Sequence, residues 1–347
     1  MPESYRIAIV GAASLRGKEL NDALSESAFA ASEIVLMDDD SALGQLEAVG
    51  DEVTFIQRIE PTSFERMDFV FFTGDPEVTR KHWQAALTAG ASILDMSYAL
   101  DEEPHVLVRA PWVREEMNGS SNQGVPDLRT PAIVPAHPAA LVLALLLARL
   151  KKAAAIRSAW ATIFEPASEH GRAAMDELHQ QTVTLLSFQT LPKEVYDAQV
   201  AFNCVPVLGE NAKISLAQVE ARVRRHYAVL SGGRLPPVGI QLIHAPVFHG
   251  HNFSLAVELE RPVSIEKIEA TLTGEHIDVV LSDEDAPTNL SSAGQEDVLV
   301  RVRSEEGEEQ TQRVWIWAST DNLKVAALNM VACAAELRRL RPLGKVQ

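Results

Sequence analysis

The turn Gly11-Ala12-Ala13-Ser14-Leu15-Arg16-Gly17 is the first segment whose residue types could do chemistry. It follows the β-branched run Arg6–Val10 and leads into a helical pattern over residues 17–24. In such a strand-turn-helix unit the first glycine makes the tight turn and the last lets the helix pack closely. Backbone amides at the helix N-terminus can then face a pyrophosphate, with Ser14 at the middle position. Twenty-one residues after Gly17 comes Asp38-Asp39-Asp40, at the end of a second apolar run. An acid there accepts hydrogen bonds from a ribose 2′-hydroxyl and repels a 2′-phosphate. Gly11, Ser14, Gly17 and Asp38 are therefore the cofactor-binding candidates, for NAD in preference to NADP. The same residues also suit a plain strand-to-helix turn followed by a solvated acidic loop.

Histidines form the second group. His244, His249 and His251 stand close together, with His226 before them. The alternation H-A-P-V-F-H-G-H places His249 and His251 on one face of a strand end, and no metal site is expected there. Cys204 and Cys333 are too few for a disulfide framework or a zinc site. Their apolar neighbours predict that both are small core residues. His137-Pro138 reads as a helix start: a residue before proline is held extended, as an N-cap needs, and proline suits the first helical position.

Elements that would position these residues change texture along the chain. Residues 6–10, 33–37, 69–72 and 92–94 read as apolar strands, separated by helical stretches over 17–24 and 82–90. Strands apolar on both faces imply a parallel sheet with helices on both sides, the doubly wound pattern. Residues 132–134 lead into a long apolar helix from Pro138. Beyond it strands dominate, over 158–164, 239–243, 253–259, 277–281, 298–302 and 313–318, with helices over 173–186 and 216–230. Such a run predicts a mixed α+β domain. Gly307 reads as a hairpin turn, and residues 322–340 as a final helix that packs back onto the first domain. The expected domains are 1–134 plus 322–347, and 135–321.

Bulk composition excludes several classes. With 347 residues the chain suits two domains, and 46% hydrophobic with 23% charged residues is a globular balance. A net charge of -17 argues against nucleic acid or an anionic membrane as partner. The apolar run 139–148 is too short to span a bilayer, and the N-terminus shows no signal-peptide pattern. A cytoplasmic address is expected.

Across nearly the whole chain the segments RIAIVGAASLRGKEL, FFTGDPEV, ILDMSYAL, AIVPAHPAALVLALL, AAMDELHQQT, FNCVP, HAPVFHGHN and DNLKVAALN occur in one order. That ordered set resembles the aspartate-semialdehyde dehydrogenase family, closest to a divergent branch of it. The resemblance implies an N-terminal Rossmann-like NAD(P)-binding domain and an α+β dimerisation and catalytic domain, pairing as a homodimer. It also implies an NADP-dependent, phosphate-requiring reaction through a cysteine thiohemiacetal.

Set against the family's pattern, the roles are altered one after another. The nucleophilic cysteine falls on Pro138, which has no nucleophilic atom. A histidine acting there instead, His137, is expected at the surface without an oriented partner. The proton-handling histidine is kept as His251. The substrate-binding arginine falls on His244, which cannot offer a charged bidentate fork. The substrate-orienting glutamine falls on Glu165, and a phosphate-facing arginine on Asp101. The small loop that the family sets near the nicotinamide becomes Ser168-Glu169-His170-Gly171, and its 2′-phosphate clamp falls within Asp39-Asp40-Ser41. The resulting expectation is a pseudoenzyme of this family that has lost the parent reaction, with a nucleotide or small metabolite as ligand. One rival is an altered enzyme using Glu165 and His251 as an acid/base pair. The other is a non-catalytic protein-interaction partner.

Overall fold

Two of the apolar runs in the first third, residues 6–10 and 69–72, lead through glycine-containing turns into helices, the kind of crossover that parallel pairing of strands needs. The computed structural model of the chain describes residues 4–39, 42–49, 52–119, 123–187, 189–304 and 309–341. Asp40, Ser41 and the turn at Gly307 lie outside the described residues. The chain divides into two compact units. The first holds Met1–Trp112, Gln123–Ala136 and Ala326–Gln347, and the second holds Val113–Asn122 and His137–Val325. Residues 113–122 thus group with the second unit rather than with the 1–134 span drawn from sequence. Within the second unit, Glu116 pairs with the buried Arg149 at 3.0 Å and with Lys152.

The first unit contains β1 (Arg6–Val10), α1 (Leu15–Ser25), β2 (Glu33–Asp38), β3 (Leu46–Val49), β4 (Glu52–Phe55), β5 (Gln57–Arg58), β6 (Phe69–Phe72), α2 (Pro76–Thr88), β7 (Ser92–Asp95) and β8 (Leu107–Arg109). The short α3 (Pro111–Glu116) follows, and β9 (Ile133–Pro135) completes the sheet. Its order is β5-β2-β1-β6-β7-β9-β8, with every pairing parallel. The chain leaves β1 for β2 on one side and returns to β6 on the other. The crevice at the C-terminal end of β1 is therefore the switch point of a doubly wound sheet. The hairpin β3–β4 stands apart from this sheet.

The second unit contains α4 (Pro138–Ala153), β10 (Ile156–Glu165), α5 (Arg172–Leu186), α6 (Leu216–Ser231), β11 (Val238–His244), β12 (His251–Ser264), α7 (Ile265–Leu272), β13 (Ile277–Val279), β14 (Val298–Ser304) and β15 (Gln310–Thr320). Its six strands run β11-β10-β12-β15-β14-β13 and mix parallel with antiparallel pairings. Helix α4 is buried on all sides from Pro138 to Leu150, as a helix apolar all round must be. Lys151 and Lys152 in its last turn complement the helix dipole. The final helix α8 (Asn322–Arg338) sends Met330, Cys333, Ala334 and Leu337 into the core formed by Ile7, Ile9, Phe69 and Phe71. The fold is α/β: a Rossmann-like parallel domain followed by an α+β domain.

Candidate functional site

In the first unit the glycine turn is built by backbone contact. Gly11 has φ +85°, and a Cβ placed on it would meet Gly74 N at 2.4 Å. A Cβ on Gly17 would lie 2.4 Å from Gly11 O, so both glycines are required by packing. Ser14 caps α1: its Oγ accepts from Gly17 N at 2.9 Å and donates to Thr73 O at 3.2 Å. Asp38 sits at the end of β2, where Oδ2 accepts from Ala13 N at 2.8 Å and Oδ1 from Asp39 N at 2.9 Å. Gly11, Ser14, Asp38, Gly74 and Asp75 line one cleft of about 220 Å³, while Gly17 lies behind the loop. The close partner Gly74 was not singled out from sequence, although its motif FFTGDPEV was visible.

Strand parity builds the candidate site of the second unit. In a strand every second side chain shares a face. The buried row of β10 is Ala159, Ala161, Ile163 and Glu165, and that of β11 is Ile240, Leu242 and His244. The row of β12 opens with His251 and continues through Phe253, Leu255 and Val257, while that of β15 ends on Thr320. Register then aligns their ends. Glu165 pairs with His244, His251 pairs with Thr320, and Phe164 pairs with Asn252, one step before Glu165 would meet His251. One end of the sheet interior thus carries His244, Glu165, His251 and Thr320 in a line, each 0% exposed.

A tight turn over Ala167–His170 closes on this row. Its backbone is held by Ala167 N to Val247 O (3.0 Å) and Ser168 N to Phe248 O (2.9 Å). His170 Nε2 lies 2.9 Å from Glu165 Oε2. Glu169 Oε1 lies 3.2 Å from His137 Nε2, and its Oε2 accepts from Asn322 Nδ2 at 3.0 Å. His137 is the N-cap of α4 and its Nδ1 accepts from Ala139 N at 3.2 Å, so the ring proton sits on Nε2, facing Glu169. His137 N donates to His226 Nδ1 at 3.0 Å, and the His137 ring lies 5.9 Å from that of His251. Pro138 occupies the first position of α4 and is buried.

Several expectations are corrected here. His137 is buried and oriented by Glu169, because the α4 N-terminus points into the protein rather than out of it. His249 lies outside β12, where Gly250 at φ +87° breaks the alternation, so it does not share a face with His251. Cys204 is exposed, since its segment forms a turn in which Phe202 takes φ +58°. No hydrogen bond joins Glu165 to His251. The partner of Glu165 is His170, and both ring nitrogens of His251 lack a hydrogen-bond partner among the described residues. Glu169 and His170 appeared in the sequence only as bulk and charge in a loop.

Burial governs the protonation of this row. His244 and His251 are each lowered to about 4, chiefly by burial, with nearby carboxylates opposing the shift. Burial alone would raise Glu165, but the His170 imidazole beside it holds its carboxyl below the ordinary glutamate range. At neutral pH the two strand histidines are therefore uncharged. A folded pKa near 4 against an ordinary 6.5 means that the unfolded chain takes up these protons first as pH falls. Their stability contribution is complete above about pH 6.5 and declines toward pH 4, at about 1.4 kcal/mol for each unit of difference. Urea midpoints measured from pH 7 to pH 4.5 should fall, and His251→Asn should flatten the slope. A midpoint independent of pH over that window would contradict the assigned burial.

Comparison with known proteins decides the family. Residues 147–325 match the family model described as "Semialdehyde dehydrogenase, dimerisation domain", and residues 6–123 match "Semialdehyde dehydrogenase, NAD binding domain". The chain belongs to the semialdehyde dehydrogenase family. Among curated relatives, the "USG-1 protein homolog" of Pseudomonas aeruginosa is 30% identical, covering 95% of this chain and 97% of that protein. The "Aspartate-semialdehyde dehydrogenase" of Rickettsia bellii is 28% identical over 97% of this chain and 98% of its own. A solved structure of a probable aspartate-semialdehyde dehydrogenase from Pseudomonas aeruginosa superposes with TM-score 0.84 at 27% identity. It covers 96% of this chain and 98% of that one. Semialdehyde dehydrogenase relatives thus share both units, and the resemblance read from the ordered motifs holds.

Proposed function

We propose that this chain is a non-catalytic member of the semialdehyde dehydrogenase family that binds a dinucleotide in its first unit. The observation that carries the proposal is Pro138. It stands at the first position of α4, where the resemblance puts a cysteine, and it has no atom able to attack a carbonyl. Neither thiol replaces it. Cys333 is buried in the first-unit core, with its thiol pushed far above the ordinary range by burial, and Cys204 is exposed. The interior row supplies a carboxylate and neutral imidazoles, and its His244 offers no fixed positive fork for an anionic substrate.

Cofactor chemistry remains supported. Gly11 packs against Gly74, Ser14 caps the N-terminus of α1, and all three line the cleft at that helix N-terminus, where a pyrophosphate would lie. A dinucleotide bound there would supply hydride chemistry in an active relative; here Gly11, Ser14 and Asp38 would hold and orient it. Asp38 favours NAD through a ribose hydroxyl. One observation favours NADP: an adjoining cleft beside Asp38 is lined by Arg58, Lys81 and His82, which suit a 2′-phosphate. We propose NAD as the tighter ligand.

The chain also pairs as a homodimer through its second unit in this reading. The match to a dimerisation domain supports it, as does Trp160, 56% exposed on the outward row of β10 beside Trp315 and Arg313. Among the described residues no helix is long and apolar enough to cross a membrane, and a cytoplasmic address belongs to the same proposal. The test is an assay of purified protein with aspartate semialdehyde, phosphate and either NADP or NAD. No protein-dependent reduction of cofactor is expected. Turnover abolished by His251→Asn would overturn the proposal.

A further inference from the structure

Unpartnered polar atoms gather at one point of the second-unit interior. Glu165, His170 and His244 each offer a ligand atom, and the three atoms lie within 4.8 Å of one another. Only one oxygen of Glu165 is used, in the 2.9 Å contact with His170. Its Oε1 and both ring nitrogens of His244 are buried with no hydrogen-bond partner among the described residues. Buried polar atoms are almost always satisfied, so three orphans at one place call for an occupant.

The fold holds these side chains firmly. Glu165 and His244 are register partners on neighbouring strands, so their separation is set by the sheet itself. The Tyr196 ring lies 4.7 Å from that of His244, with its hydroxyl tied to Ala174 O at 3.1 Å. The segment carrying Tyr196 is stapled by α5. Glu177 accepts from Val195 N and Tyr196 N, and Gln181 Oε1 accepts from Val200 N and Ala201 N. His170 comes from the tight turn after β10. Two imidazoles and one carboxylate from three rigid elements form a donor set, not a flexible surface cluster.

The geometry points to a three-ligand site for a borderline divalent transition cation, zinc being the best match, formed by Glu165, His170 and His244. Two histidines and a glutamate with one open position is a recurrent zinc arrangement. Donor atoms within 4.8 Å of one another are close enough to share one ion at zinc bond lengths of about 2.0–2.2 Å. Calcium and magnesium are disfavoured, since they need six or more oxygens and only one carboxylate is on offer. The expectation of no metal covered the cluster of His226, His244, His249 and His251; of these only His244 is in the donor set, and its partners Glu165 and His170 lie outside that cluster.

The test uses the full-length chain stripped with EDTA and titrated with zinc chloride by calorimetry and with cobalt(II) by visible absorption. One ion per chain is expected, with cobalt bands of a low-coordinate site and a zinc-dependent rise in Tm. Glu165→Gln and His244→Arg should each weaken zinc binding by roughly tenfold or more. An arginine at 244 can pair with Glu165 but cannot ligate. Cys204→Ser and His249→Gln should leave affinity unchanged. Folding of each variant is read by circular dichroism, and His170→Gln replaces any that does not fold. Absence of saturable zinc and cobalt binding overturns the proposal. So does binding that survives both ligand substitutions, or binding lost in Cys204→Ser.

Discussion

Replacing Arg109 by alanine is expected to destabilise the protein by about 3–5 kcal/mol, the usual consequence of breaking a buried ion pair from one side. Its side chain is 0% exposed. Nε donates to Glu336 Oε2 at 2.9 Å, and Nη2 lies 2.6 Å from both oxygens of Glu336. Nη1 donates to the carbonyls of Gln123 and Gly124. One guanidinium therefore joins the end of β8, the segment before β9 and helix α8, all within the first unit. The fork geometry matters as much as the charge, so Arg109→Lys should recover only part of the loss. A total stability of about 5–15 kcal/mol leaves little reserve after such a change. Urea unfolding monitored by circular dichroism measures it. A loss below about 1 kcal/mol, the worth of a surface pair, would show that the pair is not buried in solution.

Gly11→Ala is the second large effect, and it separates two causes. Gly11 and Gly44 both have positive φ, at +85° and +74°. A Cβ on Gly44 meets nothing within 4 Å, whereas one on Gly11 meets Gly74 N at 2.4 Å and Gly74 Cα at 2.5 Å. Gly44→Ala should therefore cost only the backbone penalty of about 1–2 kcal/mol. Gly11→Ala adds a collision between the ends of β1 and β6, which must separate and carry the loop amides with them. NAD binding by calorimetry is expected in the parent protein, tighter than NADP, and lost in Gly11→Ala. Equal stability of the two variants would remove the packing argument. Tighter binding of NADP would transfer the nucleotide assignment to Arg58, Lys81 and His82.

The parallel half of the fold was legible because runs such as Phe69–Phe72 are apolar on both faces, a signature that few other arrangements share. The helix start at Pro138 was equally plain from local chemistry. Helix α7 was not, since Ile265–Leu272 follows directly on β12 without a break; its one signal was Ser264, whose Oγ accepts from Lys267 N. The hairpin β3–β4 escaped because its strands have only four residues each.

Within the candidate site, parity was readable and proximity was not. Glu165 and His251 each end or begin an alternating apolar row, so the sequence contains the fact that both point inward. What brings His170 onto Glu165 is a turn whose geometry depends on Val247 and Phe248, distant in sequence. His137 was misjudged for the same reason: the carboxylate that orients it, Glu169, comes from that turn. Local pattern fixes a side chain's direction; register and loop closure fix its neighbours.

The most direct test of the proposed loss of dehydrogenase chemistry is the initial rate of cofactor reduction by Pro138→Cys beside the parent protein. Both would receive aspartate semialdehyde, phosphate and NADP or NAD in turn. Restoring the sulfur at the head of α4 does not restore a positive fork at His244 or free Glu165 from His170. The expected result is no protein-dependent rate for either protein with either cofactor. Turnover by the parent protein, or its appearance on that single substitution, would contradict the account.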